Sequence, residues 1–310
     1  MPRNLRKCVK TIGERSALNK RRIIKNALSF EFRDSSNAKW WLENETFVPV
    51  AESTTDVVRD IRHNVIPSHV KILKRTIFGQ TERKSVFSIN IPKGSESSFV
   101  VKVFYLVHLT HKLNYRLYGL GEAANSIEAG RRGIFTSRVY GCGHMYNALG
   151  LVEASVIIFE HLSNAATVSK LMSYRAGDER VKVFMQTIPL FVNLYKAGCH
   201  HIDVNSSAVM LSEYDVNPRV FLVDFHHAKF YSKPSTEILM FEAGYFARSC
   251  SNFVSTKIVD EWLDNILTAI GIKSSSEIRK MRHRFNYYLE SDLSRKWRKI
   301  LRPHQKAFFR

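Results

Sequence analysis

From residue 70 onward, apolar and polar positions alternate with the two-residue period of half-buried strands. Val70-Lys71-Ile72-Leu73-Lys74, Ser85-Val86-Phe87-Ser88-Ile89-Asn90-Ile91 and Phe99-Val100-Val101-Lys102-Val103-Phe104 are three such runs, the last two joined by a Pro92-Lys93-Gly94-Ser95 turn. They predict an antiparallel meander. The period then lengthens to that of a helix over 113–132, which Arg131-Arg132-Gly133-Ile134 terminates. Val156-Ile157-Ile158-Phe159-Glu160-His161-Leu162 is an apolar strand turning polar, the pattern of a hinge between two lobes. Residues 180–196 read as helix except at Pro189, and 239–272 read as two helices with Trp262, Leu263, Ile266 and Leu267 at core spacing. Between these stretches, Val209-Met210-Leu211 and Val220-Phe221-Leu222-Val223 flank the turn-prone 213–218, which predicts a hairpin. Residues 27–66, with Trp40, Trp41 and Phe47, read as an ordered segment packed on the body, with no chemistry assigned.

The hairpin has a carboxylate on either side, Asp203 and Asp224, 21 residues apart. One acid beside a strand is ordinarily a cap or a solvated surface group. A pair in this order, preceded by His201-Ile202, fits phosphoryl transfer: Asp203 accepts the proton of an acceptor hydroxyl, and Asp224, opening an Asp-Phe-His turn, holds the metal that bridges nucleotide phosphates. Such chemistry needs alignment and charge neutralisation more than covalent help, and it requires an upstream lysine. Lys102, set between Val-Val and Val-Phe on a strand, fills that place. Glu122 and Glu128 lie on the following helix as possible partners of Lys102, and Glu122 is preferred. The loop between the first two strands contains only Gly79, so no glycine-rich phosphate cradle is indicated and Gln80, Thr81 and Arg83 would cover the nucleotide. Backbone groups from Glu160 to Leu162 would meet an adenine edge.

Composition narrows the class. With 310 residues, 45% hydrophobic and 12% aromatic, the chain can bury a sizeable core without staples. Cys8, Cys142, Cys199 and Cys250 stand far apart, which argues against a disulfide framework or thiolate zinc site and for a reducing compartment. No apolar run approaches the roughly 20 residues of a bilayer span, and the basic N-terminus lacks the apolar block of a secretion signal, so a soluble, unexported chain is expected. The net charge is +19, of which residues 1–26 and 279–310 carry +17. In the C-terminal stretch Leu289, Leu293, Trp297, Ile300 and Leu301 recur at helical spacing, with Arg295, Lys296, Arg298 and Lys299 on the other face. A basic helix of this kind suits an anionic membrane surface, or packs its apolar stripe on the body. Nothing resembles a base-reading module, so no specific nucleic-acid partner is expected.

The order Lys102, Glu122, hinge 158–162, His201-Ile202-Asp203 and Asp224-Phe225-His226-His227-Ala228-Lys229 resembles the lipopolysaccharide core heptose/Kdo kinase family, a bacterial branch of the kinase superfamily. Leu194-Tyr195-Lys196-Ala197-Gly198 before the catalytic loop, histidine where protein kinases have glycine after Asp-Phe, Gly133-Ile134 after the helix, and Leu73-Lys74-Arg75 in the first strand are similar to it as well. The resemblance spans residues 70–250. It implies an α+β, two-lobed kinase-like fold with a small antiparallel-sheet N-lobe and a mainly helical C-lobe, the boundaries being an N-terminal extension 1–66, lobes 67–160 and 161–278, and a tail 279–310. It also implies transfer of the ATP γ-phosphate to a sugar hydroxyl of the lipid A–core glycolipid, at the cytoplasmic face of the inner membrane, with Mg²⁺ as cofactor. Asp203 would be the catalytic base, Lys102 held by Glu122 the phosphate contact, Glu160 and Leu162 the adenine contacts, and Asp224 with Asn205 the metal ligands. The basic tails would bring the enzyme to the anionic membrane surface that holds its acceptor. Oligomeric state is left open.

The fifth residue after Asp203, where kinases carry a metal-binding Asn and this family Asn or His, is Ala208. Either Asn205 or Ser206 substitutes, or one metal suffices, or the fold only binds. Another class is an iron site built from His201, Asp203 and His226 or His227, although such sites sit on β-barrels. A calcium-loop reading of Asp203-Val204-Asn205 fails because Ala208 and Tyr214 stand where glycine and glutamate are needed. His201 is expected to brace the catalytic loop through a backbone hydrogen bond.

Overall fold

The alternating runs at 70–105 pair as a meander inside a wider sheet. In a computed structural model, which describes residues 31–291 apart from 36, 79–80, 94, 114, 116–117 and 213–217, the elements run β1 (Glu31–Ser35), β2 (Ala38–Leu42), a 3₁₀ turn (Glu45–Phe47), α1 (Val48–Arg62), β3 (Val70–Phe78), β4 (Thr81–Lys93), β5 (Ser95–Tyr105), α2 (Leu109–Leu113), α3 (Gly119–Arg131), β6 (Val139–Tyr146) and β7 (Val152–Glu160). The seven strands form one antiparallel sheet in the order β1-β2-β6-β7-β5-β4-β3. These residues, up to 128 and from 137 to 161, make the first of two compact units.

Alternation along β5 assigns its side chains to two faces. Val101 and Val103 join Val156 and Ile158 of β7 in a core capped by Val50, Ala51, Val57, Val58 and Ile61 of α1. Phe104 and Ile157 face the other way, against Leu120, Ala123 and Ala124 of α3. Lys102 therefore emerges on the α3 side. Residues 31–62, expected as an ordered segment packed on the body, supply two strands of the sheet and the helix that covers one face. The helix expected from 113 begins only at Gly119.

The second unit, 129–136 with 162–310, contains β8 (Ala165–Thr167), α4 (Val168–Tyr174), α5 (Asp178–Met185), α6 (Ile188–Lys196), β9 (Cys199–His200), β10 (Val209–Ser212), β11 (Val220–Leu222), a 3₁₀ turn (Phe225–His227), β12 (Lys229–Phe230), α7 (Thr236–Cys250), α8 (Thr256–Ala269) and α9 (Ser275–Glu290). Pro189 sits in the first turn of α6, where its missing N–H costs nothing, so 180–196 is two helices and not one broken one. Trp262 of α8 centres the core: its ring lies 4.9 Å from Phe184 and 4.8 Å from Phe191, and its indole N–H donates to Thr187 Oγ1 at 3.0 Å. The predicted hairpin is β10–β11, with Val209 opposite Leu222 and Leu211 opposite Val220. A sheet-built N-terminal unit and a mainly helical C-terminal one make the architecture α+β, as the sequence predicts.

The first part of the expected tail is α9, an ordered helix packed on α7. Met281, Phe285 and Tyr288 are buried, Arg282 pairs with Asp264 at 2.5 Å, and Arg284 pairs with Glu237 at 2.5 Å. Trp297 and the basic face around it lie outside the described residues.

Candidate active site

In the first unit, Lys102 stands in register with Val86 on one side and Ile157 on the other. Lys102 is 5% exposed; its ammonium pairs directly with the carboxylate of Glu122, itself 1% exposed, and lies over the Phe104 ring, 5.4 Å from the centroid. A lysine cannot be carried into this interior without such a partner, because losing hydration costs several kcal/mol per ion. Of the two glutamates on α3, it is Glu122, in the first turn, that meets it. At the end of β7, Glu160 donates its N–H to Arg138 O at 2.8 Å and accepts from Ser137 Oγ at 2.5 Å. His161 Nδ1 lies 2.5 Å from Ser98 Oγ, and the division between the units falls directly after His161. In the second unit, Leu162 O accepts from Ala165 N at 3.1 Å.

One histidine lies beside both Asp203 and Asp224. His201, fully buried two residues before Asp203, has Nε2 3.0 Å from the carbonyl of Val223, the residue before Asp224. A carbonyl only accepts, so Nε2 carries the proton. Burial holds the imidazole below its ordinary range, against the opposing pull of Glu242, Asp224 and Asp203. His201 is thus a neutral brace near both aspartates, and its ring meets Phe225 edge-on at 4.8 Å. With Nε2 so spent, and with no group of three or more His, Cys, Asp or Glu suited to a metal among the described residues, the iron reading has no ligand set.

Both aspartates follow or occupy strained backbone. Ile202 has φ +82°, a conformation that a β-branched residue adopts only when its surroundings enforce it, and Asp224 has φ +72°, in the left-handed region that aspartate enters more readily than most residues. Glu242 of α7, fully buried, does so at Ile202: its Oε1 accepts the Ile202 N–H at 3.0 Å and His200 Nδ1–H at 2.8 Å. Gly198, at φ +59°, starts the loop, and a Cβ there would come within 2.5 Å of Tyr231 O. Arg132 closes the same turn, donating to Ala197 O at 2.8 Å and Tyr231 O at 2.7 Å. Downstream, Ser249 Oγ accepts Ser206 N–H at 2.8 Å.

Asn205 works inside the loop. Its Oδ1 accepts from Ser207 N at 2.9 Å and Ala208 N at 3.2 Å, and its Nδ2 donates to Asp203 O at 3.1 Å. Ala208 is buried, and its carbonyl accepts from Val223 N at 3.0 Å. Of the residues expected to cover a nucleotide, Gln80 lies outside the described ones, and Arg83 Nη2 is 3.2 Å from His108 Nε2. The described cysteines are buried and free; burial pushes Cys142 and Cys250 up to about 12 and Cys199 well up, which removes them as nucleophiles.

Sequence reasoning missed Glu242, Arg132 and Ser249. Glu242 left a signal: it interrupts Ile238-Leu239-Met240-Phe241 and Ala243, and an acid inside an apolar helix face needs a buried partner. Arg132, whose side chain reaches residues 65 and 99 positions away, left none.

No protein-family profile matches the chain, and no curated protein does. Among solved structures, that of WaaP in complex with acyl carrier protein is similar to it, at 14% identity and a TM-score of 0.49, over 70% of this chain and 90% of that one.

Proposed function

We propose that this protein is an ATP-dependent kinase that phosphorylates a heptose or Kdo hydroxyl of the lipopolysaccharide inner core, at the cytoplasmic face of the bacterial inner membrane. The observation that carries the reading is one neutral, buried histidine, two residues before Asp203, that donates to the carbonyl before Asp224, in a chain that also buries an ion pair between Lys102 on an interior strand and Glu122 on a helix. Asp203 accepts the proton as the sugar oxygen attacks the γ-phosphorus and the bond to ADP breaks; Lys102, oriented by Glu122, meets the nucleotide phosphates. The donor set suits a hard cation: Asp224 offers carboxylate oxygen, whereas Asn205 already spends its oxygen on two N–H groups. Asp224 would therefore hold Mg²⁺ with the phosphates, and the ion would neutralise their charge. The basic segments 1–26 and 292–310 support recruitment to an anionic surface.

A binding-only kinase fold is the second reading, favoured by Ala208, whose side chain cannot ligate a metal and whose backbone is tied to Asn205 and Val223. Mass spectrometry of extracted lipid A–core after incubation with Mg-ATP separates the two. A kinase adds one phosphate unit, and Asp203→Ala lowers the rate about 10²–10⁴-fold, the usual value of a positioned base, while Mg-ATP still binds. Nucleotide binding by the unaltered protein with no phosphate gain in the acceptor would establish the binding-only fold.

A further inference from the structure

Lysines from three neighbouring strands of the first unit stand on one face of its sheet. Lys74 of β3 lies opposite Val86 of β4, and Val86 lies opposite Lys102 of β5. Residues directly opposite in an antiparallel pair point to the same side, so Lys74, Val86 and Lys102 form one row on the α3 side. The next row repeats the arrangement: Lys84, two residues before Val86, lies opposite Phe104, two residues after Lys102. The side chains follow this register. The Phe104 ring has the Lys84 ammonium 5.7 Å from its centroid and the Lys102 ammonium 5.4 Å from it, so two lysine heads share one ring.

Lysine on an edge strand guards that edge against pairing with another chain, which is reason enough for Lys74, because β3 ends the sheet. It is no reason for Lys84. β4 lies inside the sheet, between β3 and β5, and Lys84 and Val86 are half-buried there, whereas Ser85 and Phe87, on the α1 side, are fully buried. The α3 side of β4 thus keeps an access that its other side has lost, and like charges gathered on such a face raise its affinity for anions.

The stretch before Lys84 lacks the composition of a backbone phosphate cradle. Residues 77–83 contain one glycine, Gly79, and such a cradle needs several so that successive N–H groups can converge on the anion. A β-bulge closes the stretch instead: Glu82 pairs with Ile77 and Lys84 with Thr76, which leaves Arg83 as the extra residue and returns Lys84 to register. We infer that Lys84 is a second phosphate-binding lysine, which with Lys102, and with Lys74 at the edge, takes the polyphosphate chain of a nucleoside triphosphate on this face of the sheet. An ammonium has three N–H donors, so a partner within the fold leaves donors for phosphate oxygens, as it does for Lys102 beside Glu122. The nucleoside rests on the proposed kinase reading; the lysines themselves call only for an anionic polyphosphate.

Isothermal titration of the full chain with inorganic tripolyphosphate, at about 0.15 M salt and without acceptor or metal, tests the inference. Lys84→Gln should weaken binding by about tenfold or more, the usual worth of one hydrogen bond to a charged group. Lys84→Arg should keep most of it, and Lys257→Gln, which removes the same charge from an exposed position at the start of α8, should leave it unchanged. Thermal midpoints accompany each variant, and Lys84→Met, which keeps the aliphatic stem over Phe104, replaces the glutamine variant should that one unfold. Tripolyphosphate that does not bind, or that binds Lys84→Gln and Lys257→Gln alike, overturns the inference. Binding that depends on Lys84, in a protein that transfers no phosphate, upholds it and removes the kinase. Phosphate transfer by Lys84→Gln with an unchanged KM for ATP removes it and leaves the kinase.

Discussion

Ile202 and Asp224 hold backbone conformations costing about 1–3 kcal/mol each, and a side chain anchors the backbone beside each. Glu242 grips the Ile202 N–H, and His201 grips the carbonyl before Asp224. The histidine gives a pH signature. Because burial keeps its folded pKa below the ordinary 6.5, the unfolded chain protonates first as acid is added. Stability from this group is complete above about pH 6.5 and is lost as pH falls below it, since there the unfolded state binds more protons. Urea midpoints should therefore drop between about pH 7 and about pH 5.5, and the drop should be smaller in His201→Gln. Lys102 and Glu122 give a second test. Lys102→Ala removes the ammonium that the buried Glu122 carboxylate pairs with and should destabilise by about 3–5 kcal/mol, whereas Lys102→Met/Glu122→Leu, which removes both charges, should recover most of it in urea titrations. Sequence alone pointed to Lys102, Asp203 and Asp224 because their residue types and neighbours are unusual. It left no trace of Arg132 and, for Glu242, only an acid interrupting an apolar helix face with no sign of which residues it meets.

At the scale of elements, two glycines set how closely neighbours approach. Gly198 lets the loop pass under Tyr231, and Gly198→Ala adds both a positive-φ penalty and a Cβ 2.5 Å from a carbonyl oxygen. Backbone amides from 199 to 206 should exchange faster in that variant, read by hydrogen-exchange mass spectrometry. Gly244 faces α9, where a Cβ would come 2.9 Å from Tyr288 Cβ and 3.0 Å from Phe285 O. Alanine would gain about 1 kcal/mol of helix propensity, but overpacking costs about 1–3 kcal/mol. Since one obstacle is backbone that cannot turn aside, Gly244→Ala should lower the thermal midpoint. The strands of the meander and the β10–β11 hairpin were readable because alternation and turn residues are local signals. The role of α1 was not. Its apolar residues show that it packs on something, and only the assembled sheet shows that it covers the face opposite Lys102.

For the whole molecule, charge separates into distinct populations. The termini hold nearly all of the excess, but Arg282 and Arg284, counted within the C-terminal stretch, are committed to Asp264 and Glu237. In the proposed reading, recruitment by basic charge therefore rests on residues 1–26 and 292–310. The sequence by itself determined the sheet-then-helix order, the basic ends and three residues of unusual chemistry, because periodicity, net charge and residue type are properties of a linear string. Only the tertiary structure decided that Glu122 meets Lys102 and that Glu242 and His201 hold the aspartate loops. Each of these depends on side chains brought together by packing, and separation along the chain carries no record of that distance.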